Sequence, residues 1–162
     1  MKNYLTLCLL FLAVLFSGCP YSSEVAIDGG EAKVDEKLLG KWEPKSGNDY
    51  NYIVTKFDDA TYQIVKQPKN ESESSTTYYG FLSNVNGVRF LNVWDASNEG
   101  TRTYYFYKME LTPSGSKLVL SPVTENIKET FTASADLKAF FDKHKALSFF
   151  YAKDDEEYIR AD

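Results

Sequence analysis

Six runs of aromatic and β-branched residues, joined in pairs by short turn sequences, constrain the fold of this chain more than any other feature. The turns between the paired runs are residues 58–60, 84–87 and 112–116, and they are rich in Asp, Asn, Gly, Ser and Pro. Runs of this composition suit strands, so each pair predicts a β-hairpin. The chain is therefore expected to be mainly β and to form an antiparallel meander. The runs cover residues 50–57, 61–67, 76–83, 88–94, 101–111 and 117–123.

Alternation along these runs predicts that each strand has one buried face. Tyr105, Tyr107, Met109 and Leu111 fall on one side of their strand, opposite the charged side chains of residues 108 and 110. An open meander would leave unpaired edge strands, which proteins avoid by closing the sheet or packing it on a second layer. Two architectures follow, a closed β-barrel or a β-sandwich.

One helix is predicted near the end of the chain. Ser134 is a suitable N-cap, and Leu137, Phe140, Phe141 and His144 recur at the spacing of one helix face. The apolar stripe predicts that the helix lies against the sheet. Residues 149–153 and 156–160 follow it and are expected to be the final strands.

The first eighteen residues have the organisation of an export signal. Lys2 precedes an apolar run over residues 5–16, and the small residues Ser17 and Gly18 come just before Cys19. This order predicts a signal peptide over residues 1–18, and its apolar run is too short to span a bilayer. Cys8 would leave with it, so Cys19 would be the single cysteine of the mature chain. An ordinary signal peptide with a cysteine nearby is the alternative.

Residues 16–19, Phe-Ser-Gly-Cys, resemble the lipobox of bacterial lipoproteins. The resemblance implies that Cys19 becomes the first residue and carries acyl chains that hold the protein to a membrane of the cell envelope. At least two chains are expected, which makes an anchor stable. The expected location is the outer membrane of a Gram-negative cell, on its periplasmic or surface side. Residues 19–33, small and polar, are expected to be a flexible tether, and residues 34–162 a single β domain.

The charge of the predicted mature chain excludes some partners. Without residues 1–18 the chain has 17 basic and 23 acidic side chains, a formal charge of −6. No basic stripe is present, which argues against nucleic-acid binding and against adhesion to anionic lipid by charge alone.

The segment Gly40-Lys41-Trp42 stands before the first hairpin. A Gly-x-Trp motif in this place, followed by an antiparallel meander and a late helix, resembles the lipocalin and wider calycin group of β-barrels. The resemblance implies a calycin-like barrel with Trp42 at its closed end, close to Arg160 of the last strand. Small envelope lipoproteins with lipocalin-like domains are similar in the same way.

The sequence contains no catalytic or metal-binding motif, so no cofactor is expected and the protein is predicted not to be an enzyme. His144 is the only histidine and lies on the apolar helix stripe. The carboxylate groups 58–59 and 154–157 fall in predicted turns, where solvated charge is the ordinary outcome. A hydrolase of envelope carbohydrate would need two such groups facing each other across a cleft.

Aromatic residues are the most informative excess, with 22 of them after residue 18. They predict either a core built from aromatic rings or a pocket for a small hydrophobic or amphipathic ligand. The alternative function is a protein-interaction module, an envelope adaptor or enzyme inhibitor, as small barrel lipoproteins that inhibit lysozyme exemplify. The side chains predicted to bind the ligand are Tyr62, Phe90, Asn92, Trp94, Tyr105 and Tyr107.

Overall fold

The computed structural model describes residues 20–70, 72–97, 100 and 102–161. These residues form nine strands, one α-helix (α1, Ser134–His144) and two short 3-10 helices, Glu36–Leu38 and Ser148–Phe150. The predicted signal peptide and Cys19 lie outside the described residues. The strands are β1 (Ser22–Ser23), β2 (Gly40–Pro44), β3 (Tyr50–Lys56), β4 (Thr61–Pro68), β5 (Thr76–Val85), β6 (Val88–Asp95), β7 (Tyr104–Leu111), β8 (Lys117–Pro122) and β9 (Glu156–Ala161).

Strands β2 to β9 form one closed antiparallel barrel of eight strands. Each of β2 to β8 pairs with the next strand along the chain, and the helical segment lies between β8 and β9. Strand β9 also pairs with β2, which closes the barrel. The short strand β1 pairs with Tyr104 and Tyr105, the first two residues of β7. The prediction of a mainly β barrel, with one helix before the last strand, is confirmed. The β-sandwich alternative is wrong, because the sheet closes on itself.

Most predicted strands shift by at most two residues, but larger differences occur. Strands β1 and β2 were not predicted, because the sequence placed Gly40 and Trp42 before the first strand. The run that begins at residue 101 becomes a strand only at Tyr104. Residues 149–153 do not form a strand: Ser148–Phe150 is a 3-10 helix, and Tyr151 makes one isolated bridge to Val123. Phe150 is buried against α1, and its carbonyl accepts the N–H of Thr124, so this segment connects the helix to the barrel wall.

One end of the barrel, here called the closed end, is filled by large side chains. The 3-10 helix Glu36–Leu38 lies beneath it, and the Leu38 carbonyl accepts the indole N–H of Trp42 at 2.8 Å. The Tyr62 hydroxyl accepts the N–H of Asp35 at 2.6 Å. Both rings are buried with their polar atoms paired, as a packed interior requires. The buried cluster at this end comprises Leu38, Trp42, Tyr62, Leu82, Leu91, Met109, Leu118 and Tyr158.

Arg160 closes this end over Trp42. Its guanidinium carbon lies 4.7 Å from the centre of the Trp42 ring, and its nitrogens donate to the carbonyls of Gly115, Leu39 and Lys37. Gly40 has a φ of +123°, and a Cβ there would stand 2.7 Å from the guanidinium. A side chain at position 40 would therefore displace Arg160, which explains why glycine precedes the tryptophan by two positions.

A second apolar layer covers the outside of the barrel over β5, β6 and β7. The helix α1 packs there, with Leu137 and Phe141 fully buried. Phe141 meets Phe90 and Phe106 edge to face, at centroid distances of 5.1 and 5.2 Å. This part of the sheet is therefore buried on both faces, which few antiparallel sheets require.

Residues 20–30 complete the outer layer and do not form the flexible tether that the sequence predicted. Ile27 is 0% exposed and Tyr21 is buried. The Tyr21 N–H donates to the Val123 carbonyl at 2.8 Å. The segment contains two serines and two glycines, but its apolar side chains, among them Tyr21 and Ile27, pack on the sheet face that α1 leaves uncovered. The described part of the predicted tether thus belongs to the domain.

A buried amide fixes this segment to the barrel. Asn92 is 0% exposed, and its Oδ1 accepts the N–H of Ile27 at 3.0 Å. Its Nδ2 donates to Ser83 Oγ at 2.9 Å and to the Phe81 carbonyl at 3.3 Å. Ser83 in turn donates to Asp28 at 2.7 Å. One side chain of β6 therefore joins the N-terminal segment to two neighbouring positions of β5.

Replacing Asn92 should destabilise the fold much more than replacing Asn51. Asn92→Leu leaves the Ile27 N–H and its partners on β5 without hydrogen bonds, at a cost of about 1–3 kcal/mol in the free energy of unfolding. Asn51 is the matched control, because its buried Oδ1 has no partner among the described residues, so Asn51→Leu should be near neutral. Urea unfolding of both variants measures this. Equal losses would contradict the role of the Asn92 network.

Candidate functional site

A cavity of about 480 Å³ opens at the end of the barrel opposite the closed end. It lies at the upper ends of strands β3 to β7 and β9, and we call it the mouth. Its volume falls within the range of about 300–1,000 Å³ that is typical of small-molecule sites. It is lined by Pro20, Tyr52, Lys66, Tyr78, Val93, Asp95, Tyr105, Tyr107 and Glu156.

The alternation of the strands brings the mouth residues together. Tyr52 pairs with Lys66 across β3 and β4, and Val93 pairs with Tyr105 across β6 and β7. Side chains two positions apart on a strand share a face, so Tyr107 lies on the same inner wall as Tyr105. Below them the interior is occupied by the cluster of the closed end, and the cavity is confined to the upper part of the barrel.

Three tyrosine hydroxyls in the mouth are available to a ligand. Among the described residues, the hydroxyls of Tyr78, Tyr105 and Tyr107 have no hydrogen-bond partner on the protein. Tyr158, at the edge of the closed-end cluster, donates its hydroxyl to the carboxylate of Glu156. Tyr52 meets Tyr158 edge to face at 5.4 Å. The walls thus offer ring faces to apolar groups and hydroxyls to polar ones.

Three tyrosines of the mouth, Tyr52, Tyr78 and Tyr107, have a pKa raised above the ordinary value. Burial raises the pKa of Tyr107, and the nearby carboxylate of Glu156 raises it further. The same two causes raise the pKa of Tyr52 and of Tyr158. For Tyr78, burial and then the charge of Asp95 raise the pKa. These hydroxyls can therefore donate hydrogen bonds over the whole physiological range of pH.

The charged groups of the mouth are one lysine and two carboxylates. Lys66 Nζ lies 4.1 Å from the centre of the Tyr50 ring at the rim. Asp95 accepts two hydrogen bonds from Ser97, through its hydroxyl and its backbone N–H, which lower the pKa of this carboxyl. One lysine against two carboxylates gives the lining a formal charge of −1.

The structure places the predicted ligand-binding residues in three different environments. Tyr105 and Tyr107 line the mouth. Tyr62 also points inward, but it is packed at the closed end. Phe90, Asn92 and Trp94 lie on the opposite face of the sheet: Phe90 packs on α1, Asn92 binds Ile27, and Trp94 is outside the barrel near Ala26.

This difference has a physical reason in strand β6. Its residues are apolar on both faces, because one face meets the barrel interior and the other meets the outer layer. The sequence of β6 therefore does not indicate which of its two faces lies inside the barrel. Lys66 was missed for the opposite reason. It follows Tyr62 and Ile64 on the same inward face of β4, but a charged residue does not suggest an interior position.

A second concavity lies on the outer wall of the barrel, and we call it the outer aromatic groove. It has a volume of about 370 Å³ and is lined by Phe57, Tyr79, Phe81, Trp94 and Arg102, among others. Neighbouring rings are close: Phe57 and Tyr79 are 4.7 Å apart, and Tyr79 and Trp94 are 5.8 Å apart. The Arg102 guanidinium lies 4.9 Å from the Trp94 ring centre.

Of the carboxylates predicted to lie in turns, Asp58, Asp59 and Glu157 are engaged by their own turn or by lysines, whereas Glu156 stands at the start of β9 and lines the mouth. Asp58 accepts the N–H groups of Ala60 and Thr61, which lower the pKa of its carboxyl. Glu157 forms ion pairs with Lys45 and Lys117. Within the described ranges, no group of three or more His, Cys, Asp or Glu side chains is placed to hold a metal ion.

His144 lies on the helix stripe, as the sequence placed it. Its ring is 4.5 Å from Phe140 and 5.9 Å from Phe150, centroid to centroid. These contacts are those of a side chain packed among aromatic rings. Of the helices in the described part of the chain, none has the length and apolarity to cross a membrane.

In comparisons with known proteins, no protein-family model, no curated protein and no solved structure matches this chain.

The raised tyrosine pKa values predict a loss of stability at alkaline pH. Above the ordinary tyrosine pKa of 10.0 the unfolded chain loses protons that the folded chain keeps on Tyr107 and Tyr158. The free energy of unfolding should therefore stay level below about pH 9 and fall as the pH rises past about 10. Urea midpoints across this range measure the fall, and Tyr107→Phe should make it shallower. Ionisation of all tyrosines near pH 10 in the folded protein, seen in ultraviolet absorbance, would contradict the shifts.

Proposed function

We propose that this protein is a non-enzymatic lipoprotein of the bacterial cell envelope whose barrel mouth binds one compact amphipathic molecule. The observation that carries the binding role is the cavity of about 480 Å³ with its tyrosine walls. A barrel whose interior is filled from end to end would offer no such space. Here the closed end is packed and the mouth is open.

The shape and charge of the mouth define the class of ligand. A long acyl chain cannot run down the barrel, because Trp42, Tyr62 and their neighbours fill its lower part. The ring faces and Val93 suit a short apolar group, and the unpaired hydroxyls suit polar groups at its end. Two carboxylates against one lysine favour a neutral or cationic head group over an anionic one. Cations also bind to the faces of aromatic rings.

The anchoring part of the proposal depends on the sequence. The lipobox-like residues 16–19 and the single remaining cysteine support lipidation of Cys19. The resemblance to calycins is supported by the contact of Arg160 with Trp42 and by the helix before the last strand. In this proposal the acyl chains attach the protein to the membrane, and the barrel provides the binding site.

A second candidate function is favoured by the outer aromatic groove. Phe57 is 59% exposed and continues the row of rings formed by Tyr79 and Trp94. Exposed aromatic side chains of this kind are common at protein interfaces. The groove would then bind another envelope protein, with this chain acting as an adaptor or an enzyme inhibitor.

Ligand binding is tested with two probes that share one short tail and differ in head group, hexyltrimethylammonium and hexyl sulfate, below micelle-forming concentrations. The cationic probe should bind more tightly to the mouth by calorimetric titration. Replacing Glu156 by glutamine should reduce this preference, since one of the two carboxylates is lost. Stronger binding of hexyl sulfate would contradict the charge argument.

The position of the site is tested by tyrosine variants of nearly equal size. Tyr107→Phe removes a hydroxyl from the mouth and should weaken binding of a compact hydrogen-bonding amphipath, such as hexyl glucoside, by roughly tenfold or less, the effect of one hydrogen bond. Tyr79→Phe, on the outer wall, should leave it unchanged. If Tyr79→Phe has the larger effect, the ligand occupies the outer aromatic groove and the mouth is not the site.

The anchor is tested by two cysteine variants expressed with the complete sequence. Cys19→Ser removes the residue proposed to be lipidated, and the protein should no longer float with membranes in a density gradient. Cys8→Ser lies within the proposed signal peptide and should leave flotation intact. A Cys19→Ser protein that still floats would show that another feature holds it at the membrane.

A further inference from the structure

The described chain begins at the rim of the mouth. Pro20 lines the same cavity as Tyr105, Tyr107 and Glu156. The chain therefore enters the domain beside the opening of the barrel, at the end opposite the 3-10 helix of the closed end.

Hydrogen bonds before, within and after β1 hold this entry point in place. The Tyr21 N–H donates to the Val123 carbonyl at 2.8 Å, and the Tyr21 hydroxyl donates to the Glu129 carbonyl at 2.9 Å. Ser22 and Ser23 pair with the upper residues of β7. Further along, the Ile27 N–H is bound by Asn92. Pro20 immediately precedes the first residue that makes these bonds, so its position relative to the mouth is fixed.

Cys19 is one peptide bond before Pro20, and consecutive Cα atoms are about 3.8 Å apart. An anchor at Cys19 therefore starts at the rim. A flexible tether over residues 19–33 would instead have reached as far as roughly 50 Å when extended, leaving the orientation of the barrel free. The ordered segment removes that freedom.

We infer that the mouth of the barrel is held against the bilayer surface and that its ligand is an amphipath taken up from the bilayer. This inference rests on the proposed lipidation of Cys19 and on ligand binding at the mouth, and it adds the orientation of the domain and the source of the ligand.

The chemistry of the mouth fits this position. Tyrosine is a residue that proteins place at membrane interfaces, because its ring contacts apolar groups while its hydroxyl contacts polar ones. Tyr52, Tyr78, Tyr105 and Tyr107 surround the opening. A compact amphipath could pass from the interface to these rings without its apolar part crossing bulk water. The transfer then avoids the free-energy cost of exposing that part to water. The closed end, covered by Arg160 and Glu36–Leu38, would point away from the bilayer.

The orientation is tested with fluorescent labels at two exposed serines of the lipidated protein. Ser74→Cys labels the loop between β4 and β5 at the mouth, and Ser114→Cys labels the turn between β7 and β8 at the closed end. The protein is reconstituted into phosphatidylcholine vesicles that carry a quencher on the lipid head group. The label at position 74 should be quenched several-fold more strongly than the label at position 114.

A matched variant with 20 glycine and serine residues inserted between Cys19 and Pro20 tests whether the short connection to the anchor causes this orientation. It keeps the cysteine and the domain but releases the rim from the anchor, so the difference between the two labels should largely disappear. Uptake is followed in the same vesicles with a fluorescent phosphocholine probe that carries one short acyl chain, and the insertion should slow its transfer to the barrel.

The outcomes separate this inference from the proposed function. Absence of acyl chains on Cys19, shown by mass spectrometry of the purified protein, would overturn the proposed anchor. Acylation with equal quenching of both labels would overturn the orientation and leave the anchor standing. Stronger quenching at position 114 would reverse the orientation. Binding of the hexyl probes in solution, with no transfer of the short-chain phosphocholine probe from vesicles, would overturn the bilayer as the source and leave the mouth as a binding site.

Discussion

The side-chain amide of Asn92 satisfies buried polar groups from two parts of the chain, and the outer layer of the structure depends on it. The outer face of β5, β6 and β7 is apolar, so it needs a cover, and α1 supplies only part of it. Residues 20–30 supply the rest, but their backbone N–H groups lose water when they pack there. Asn92 binds the N–H of Ile27 and is itself held by Ser83 and Phe81. A buried amide without partners is costly, so these bonds favour this one register of the segment over others.

The two ends of the barrel differ in how their buried polar atoms are used. At the closed end, Trp42 and Tyr62 each have a backbone partner, and Arg160 donates to three carbonyls. At the mouth, Tyr105 and Tyr107 have hydroxyls without a partner among the described residues. Satisfied groups add stability to a fold, whereas polar groups that face an open cavity are free to bind something else. The barrel is therefore divided along its axis into a packed half and a half with an open cavity.

The sequence predicted the fold well and the site only in part. Hairpin turns and alternation were sufficient for the barrel strands from β3 to β8, and helix spacing was sufficient for α1. Both signals are local in sequence, and closure of the barrel does not change the secondary structure that they predict. The inner and outer faces of β6 could not be told apart, because Phe90 and Leu91 are equally apolar and are buried on opposite sides. Lys66 and Pro20 became part of the mouth through the closure of the barrel and the return of the N-terminal segment, and both are long-range effects that a local pattern does not contain.

Because residues 20–27 are packed on the barrel, they also determine whether the mouth and the outer aromatic groove can both be occupied in one molecule. If the mouth faces the bilayer, the outer aromatic groove remains on the side wall and in contact with water, because its rings point away from the barrel axis. Asp95 lines both cavities from the end of β6, and Trp94 and Val93 beside it face the groove and the mouth respectively. A single strand thus forms the wall between them. Binding of a lipid at the mouth and of a protein at the groove would not compete for space, so the two proposed functions are compatible within one molecule.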